Sequence, residues 1–210
     1  STWNAKNKFT GWVNAPLSEK GKQEAKSAGK LIKSINLINL NGFTSFLDRA
    51  IETYNIIINN IEQKNVIEKK AWQLNERHYG SLTGLNKEET KKKIGEEQFK
   101  KYRRSWDTSP PPMIKNDKNH FLFSPLNASI PLGMTPLTES LKDTYKRVIS
   151  YYENEILKNI KKNKNVLISA HGNSLRALCK YLFKISDRKI NELEIPTGNP
   201  LIIEFGNNLE

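Results

Sequence analysis

The chain has 210 residues, 37% hydrophobic and 27% charged, which suits one folded domain with a sizeable core. Its net charge of +12 invites an anionic partner, yet the lysines are scattered and not interleaved with aromatic residues as a nucleic-acid surface requires. No apolar run approaches the ~20 residues that span a bilayer, the residues after Ser1 do not read as a secretory signal, and the single Cys179 excludes an internal disulfide, so a reducing, cytoplasmic setting is expected.

In chain order, helices alternate with strands, without repeats or a low-complexity linker. Ser18 reads as an N-cap, and Ala25, Ala28, Leu31 and Ile32 give the following helix one apolar stripe. Asn41 to Thr44 reads as a strand end. Ser45 with Asp48 three residues on resembles a capping box that opens a helix with Ala50, Tyr54, Ile57, Ile58 and Ile61 on one side. Asn65 to Trp72 reads as extended. Asn86 with Glu89 starts a helix that stops near Gly95, and the next, Glu96 to Trp106, ends before Pro110, Pro111 and Pro112. The basic runs Lys91 to Lys93 and Lys161 to Lys164 read as solvated faces.

Met113 to Pro136 reads as a long irregular loop, a length often used for lids and binding segments. Thr138 is expected to begin a helix with Leu141, Tyr145, Val148, Tyr152 and Ile156 inside. Asn165 to Ala170 is an almost wholly apolar run, as in a strand buried on both faces. His171, Gly172 and Asn173 form a tight turn, Ser174 opens a helix with Leu175, Leu178 and Leu182 towards the sheet, and Leu201 to Phe205 supplies a last strand. The expected architecture is α/β: three layers, a mostly parallel sheet flanked by helices on both faces, in one domain.

Several residues could carry chemistry. His171 ends a buried strand beside a helix start, where ligands and anions gather, although a lone histidine can equally be structural. Arg49 lies in the first turn of the helix after Ser45, free to bind phosphate or carboxylate, or to pair with Asp48 or Glu52. Arg103 and Arg104 are adjacent, so they point in different directions, and at least one has a special target. Glu76, Arg77 and His78 combine acid/base groups with a cation; Glu76 could transfer protons, or Glu76 and Arg77 could only tie down a loop. His120 reads as a solvated loop residue. No His, Cys, Asp or Glu grouping has metal-ligand spacing.

The stretches Ser1-Thr2-Trp3-Asn4, Phe9-Thr10-Gly11-Trp12, Pro16 to Gly21, Leu74 to Gly80, Gly84 to Lys87, Pro136 to Leu141, Ala170 to Leu178 and Ile195 to Gly198 follow one another in a familiar order. Together they resemble the cofactor-dependent phosphoglycerate mutases of the histidine phosphatase superfamily, over nearly the whole chain. The resemblance implies interconversion of 3-phosphoglycerate and 2-phosphoglycerate through a phosphohistidine enzyme and a 2,3-bisphosphoglycerate intermediate, primed by that bisphosphate and without metal. It implies that Glu76 gives and takes the substrate proton and that His171 stabilises the transferring phosphoryl group. Ser1, Asn4, Thr10, Gly11, Arg49, Arg77, His78, Tyr79, Lys87, Arg103, Arg104, Gly172 and Asn173 match substrate-contacting positions.

In that family the nucleophilic histidine sits in an Arg-His-Gly-Glu motif on the first strand. The expectation is therefore a single domain seen without that strand and without most of a C-terminal tail, leaving an apolar slot in the sheet. The implied partners are small phosphoglycerates and, as a homodimer or homotetramer, further copies of the chain, with neither nucleic acid nor membrane. A phosphatase of the same superfamily and an inactive binding protein are the competing readings.

Overall fold

In a computed structural model of the chain, residues 1–63, 66–114, 116–120, 124–162 and 164–206 are described. Parts of three sequence readings fall outside them: Asn65 at the start of the extended stretch, Lys115 and residues 121–123 of the long loop, and Asn163 between the lysines of the second basic run.

The elements are α1 (Thr2–Ala5), α2 (Glu19–Ser34), β1 (Leu40–Thr44), α3 (Asp48–Ile61), β2 (Ile67–Lys70), α4 (Lys87–Ile94), α5 (Glu96–Arg104), α6 (Leu141–Tyr151), α7 (Leu157–Ile160), β3 (Asn165–Ser169) and α8 (Gly172–Leu182). The three strands form a parallel sheet in the order β2-β1-β3. Alternation along the strands divides the core in two. Leu40 and Leu167 face Ala28, Ile32, Ile57 and Ile61 of α2 and α3. Phe43, Val166 and Ile168 face Leu141, Val148 and Ile149 of α6 and Ala177 and Leu178 of α8. Helices thus cover both faces of a parallel sheet, the three-layer α/β architecture expected from the alternating pattern.

Local chemistry explains the helix ends. Ser18 Oγ accepts from Gly21 N at 3.2 Å, and Asn86 Oδ1 accepts from Glu88 N and Glu89 N, so both caps fall where the sequence puts them. Helix α5 closes at Ser105, ahead of the three prolines. Helix α6 starts at Leu141 rather than Thr138, because Ser140 forms a reciprocal capping box with Asp143.

Four further expectations are corrected. Ser45 does not cap α3: its N-cap is Leu47, with no side-chain hydrogen bond, and Ser45 Oγ accepts from Leu47 N while facing His171. Leu31 lies off the buried face of α2 and is 55% exposed. Residues 165–168 are only half-buried, because among the described residues β3 pairs with β1 alone and its other side borders an open groove. Leu201 to Phe205 forms no strand: it runs along that groove without a ladder partner among the described residues, with Leu201 and Ile202 exposed. Among the described residues no helix is long and apolar enough to cross a membrane.

Candidate active site

The register sets the site. Thr44 lies beside Ser169, so β1 and β3 end level with each other, and the residues just beyond them, Ser45 and His171, emerge at one edge of the sheet. This is the carboxyl edge, where parallel sheets bind ligands. Ser45 Oγ and His171 Nε2 are 2.7 Å apart. Ser45 Oγ also accepts from Leu47 N, so the hydroxyl ties the imidazole to the head of α3, with the donor in the Ser45–His171 bond set by the ring tautomer. Burial, and then the nearby Arg49 and Arg147 cations, hold the His171 pKa well below its ordinary value, so the ring is neutral. His171 is also the N-cap residue of α8, whose first N–H groups open beside it.

Arg49 makes no ion pair with Asp48 or Glu52. Asp48 bonds Asn14, Glu52 pairs with Lys22, and Arg49 donates to Gly11 O and Val13 O, each at 2.8 Å. It is 6% exposed, and burial lowers its pKa to about 10, so it remains a cation at neutral pH. Gly11 has φ +54°, and a Cβ there would meet Tyr79 N at 3.3 Å, so the loop that Arg49 clamps passes close against the Glu76 loop only because it carries glycine.

Glu76 reaches into the site from the segment after β2. Three N–H groups converge on its Oε1: Arg77 N at 2.8 Å, Asn173 N at 3.2 Å and Asn173 Nδ2 at 2.9 Å. Oε2 lies on the Gly172 side. The segment is held from behind by Arg147, which donates to the carbonyls of Gln73, Asn75 and Glu76 and forms a two-pronged ion pair with Glu139. Glu139 in turn accepts from His78 N at 2.8 Å. Lys87 completes the group; burial, and then Arg103, lower its pKa, while Glu76 opposes that shift.

A cavity of about 1390 Å³ joins these parts. Of the sequence candidates, Ser1, Asn4, Thr10, Gly11, Arg49, Glu76, Tyr79, Lys87, His171 and Gly172 line it. Asn173 stands one hydrogen bond away, on Glu76 and the Tyr79 hydroxyl. The other candidates do not line it. His78 is 1% exposed behind the site, its Nδ1 accepting from Gly80 N and its ring against Trp12. Arg77 is wholly buried, stacked on Tyr79 and bonded to the carbonyls of Tyr102 and Arg103. Arg103 lies near the Phe99 ring, and Arg104 pairs with Glu194. His120, read as solvated, is 2% exposed. The cavity continues as an apolar groove beside β3, lined by Ala28, Ile57, Leu167, Leu178 and Ile202 among others.

Sequence reasoning passed over Ser45, Glu139, Arg147 and Arg176 as site components. Arg176 alone carried a usable signal, as an arginine three residues after Asn173 on a helix whose neighbouring positions are apolar. Among the described residues no group of three or more His, Cys, Asp and Glu could hold a metal ion.

The chain matches the profile of the histidine phosphatase superfamily, branch 1, over residues 1–209. The chain belongs to this superfamily. A 2,3-bisphosphoglycerate-dependent phosphoglycerate mutase of Pelagibacter ubique (strain HTCC1062) is 51% identical over 205 residues, covering 98% of this chain and 86% of its own. Superfamily structures share the fold at low identity. A mycobacterial glucosyl-3-phosphoglycerate phosphatase superposes with a TM-score of 0.69 at 17% identity, covering 92% of this chain and 80% of that one. Bacillus stearothermophilus YhfR gives 0.64 at 20% identity, with 90% and 78% covered. Membership in the histidine phosphatase superfamily agrees with the resemblance read from the sequence.

Proposed function

We propose that the chain is the body of a 2,3-bisphosphoglycerate-dependent phosphoglycerate mutase, interconverting 3-phosphoglycerate and 2-phosphoglycerate in cytoplasmic glycolysis and gluconeogenesis. The observation that carries this reading is the meeting of Arg49, Lys87 and neutral His171 with the Glu76 carboxylate in one cavity. Phosphoryl transfer asks a protein for alignment and for positive charge around the equatorial oxygens. Arg49 and Lys87 supply that charge, and the positive end of the α8 dipole begins beside them at His171. His171, with its ring held by Ser45, steadies the phosphoryl group in flight. Arg103 and Arg104, outside the cavity lining, add to the same positive field through their charges on Lys87.

Glu76 handles the proton. As the N–P bond of the phosphohistidine breaks and an O–P bond forms at a substrate hydroxyl, the hydroxyl proton passes to the Glu76 carboxylate. In the return step an O–P bond breaks, the phosphoryl group goes back to the histidine and Glu76 gives the proton to the departing oxygen. Glu76 Oε1 is already held by three donors, which leaves Oε2 for that exchange. The cations of the cavity suit a small anion carrying two phosphates, as the bisphosphate primer and intermediate must be. His78 and His120 are buried outside the cavity, so neither is placed to act on a bound substrate. A homodimeric or homotetrameric assembly belongs to the same proposal.

The test is to supply 3-phosphoglycerate to the full-length protein and follow 2-phosphoglycerate and inorganic phosphate together. The reading expects isomerisation that depends on catalytic 2,3-bisphosphoglycerate. Release of phosphate without isomerisation would identify a phosphatase instead.

A further inference from the structure

Asn173 can hold Glu76 in only one of its two amide orientations. With Nδ2 inward it donates to Glu76 Oε1 at 2.9 Å and to the Tyr79 hydroxyl at 3.0 Å. Turned over, it would set Oδ1 against the carboxylate oxygen, acceptor facing acceptor. The far side of the amide enforces the same choice. There Arg176 Nη1 lies 2.9 Å from Oδ1. A guanidinium carries five donors and no acceptor, so only the amide oxygen can face it.

Arg176 is itself fixed. It is 2% exposed, and Nη2 donates to Ile190 O at 2.6 Å, anchoring it to the turn beyond α8. Asn173 and Arg176 are three residues apart on one helix, so their side chains meet without help from other elements. Neither of its hydrogen bonds goes to a carboxylate, and Nε has no partner among the described residues. A buried guanidinium without a paired anion is a costly way to fill space. Arg77 and Arg104 lie close enough to disfavour its charge further.

We infer that Arg176 is a positioning residue for proton transfer at Glu76: it locks the Asn173 amide so that Nδ2 grips Oε1, and Oε2 is kept for the substrate hydroxyl. This rests on the reading of Glu76 as the proton carrier, so wild-type turnover is measured first. An inactive wild type under mutase conditions would count against that reading and not against the amide lock.

The experiment compares full-length wild type with Arg176→Met, Arg176→Lys, Asn173→Ala and the double variant Arg176→Met/Asn173→Ala, reading kcat and KM for 3-phosphoglycerate separately. Removing the lock should lower kcat about tenfold or more while KM moves less than about threefold, since the lost interaction serves the transition state. Arg176→Lys, still a donor, should recover part of the loss. In the Asn173→Ala background the Arg176 change should cost no more than about twofold further, because residues acting as one unit are not additive. A kcat within about twofold of wild type for Arg176→Met, or losses that multiply in the double variant, would overturn the inference.

Should Arg176→Met fail to fold, Asn173→Asp decides. Its carboxylate keeps an acceptor for Arg176 but offers Glu76 no donor, so kcat should fall as far as in Asn173→Ala while KM moves less than about threefold. A kcat within about twofold of wild type would overturn the inference.

Discussion

Ser45 Oγ stands 2.7 Å from His171 Nε2, although 126 positions separate the two residues in sequence. The contact exists because β1 and β3 are adjacent, parallel and in a register that ends both at the same level. It couples the sheet to the chemistry, since the hydroxyl that orients the ring also accepts the Leu47 N–H at the head of α3.

Ser45→Ala should therefore act twice. The buried Leu47 N–H loses its acceptor, at a cost of about 1–3 kcal/mol, and the His171 ring loses its orienting partner. Urea denaturation should show the first effect and a fall in kcat the second. A variant with unchanged kcat would mean that the ring needs no orientation from the hydroxyl.

Lys87→Gln should weaken substrate binding and also slow turnover, because its charge acts on the bound anion and on the phosphoryl group in transfer. Loss of one charge-assisted hydrogen bond, about 1.5–3 kcal/mol, corresponds to an increase in KM of about 10- to 100-fold, smaller at high ionic strength. Steady-state kinetics at low and high salt test this. An unaltered KM would place Lys87 outside the anion's reach.

Arg147→Met should destabilise the protein by about 3–5 kcal/mol, because Glu139 is left as an unpaired buried carboxylate. The segment carrying Glu76 also loses the bonds to its Gln73, Asn75 and Glu76 carbonyls. Replacing both partners, as Arg147→Met/Glu139→Leu, should cost less than Arg147→Met alone. Denaturation midpoints of the two variants decide, and a double variant less stable than the single would contradict the ion-pair account.

Acid should destabilise the fold through its buried histidines. Burial lowers the pKa of His78 from 6.5 to about 4, and His171 also lies well below 6.5. As pH falls below 6.5 the unfolded chain takes up protons that the folded chain refuses, so stability drops. It is fully present above 6.5 and lost at about 1.4 kcal/mol per pH unit for each histidine until the folded pKa is reached. For His78 alone that amounts to about 3 kcal/mol by pH 4. Denaturation curves at neutral pH and near pH 5 should show the slope, and His78→Gln should reduce it. Stability that stays flat over this range would contradict the burial of both rings.

Much of the fold was legible because short-range chemistry decided it. Ser18, Asn86 and the three prolines act on their own neighbours, and the stripes of α2 and α3 follow from a 3.6-residue period. What failed to show was decided at long range. Ser45 and Asp48 carry a capping pattern, yet the Ser45 hydroxyl faces a histidine just past another strand, which no local pattern announces. Leu201 to Phe205 has strand-like residues but no neighbour to pair with among the described residues. His120 lies in irregular structure and is nonetheless buried by the packing around it. Within the candidate site, residue chemistry pointed to His171, Arg49 and Glu76, while the resemblance supplied most of the remaining positions. The buried arginines behind them, Arg147 and Arg176, emerge only when hydrogen bonds are traced outward from Glu76.

The central claim is that the Glu76 carboxylate carries the substrate proton within this cationic cavity. Initial rates of 2-phosphoglycerate formation by full-length wild type and Glu76→Gln, with 2,3-bisphosphoglycerate present, test it most directly. The account expects kcat to fall by about 10²- to 10⁴-fold while KM changes little. A Glu76→Gln enzyme that turns over at the wild-type rate would contradict it.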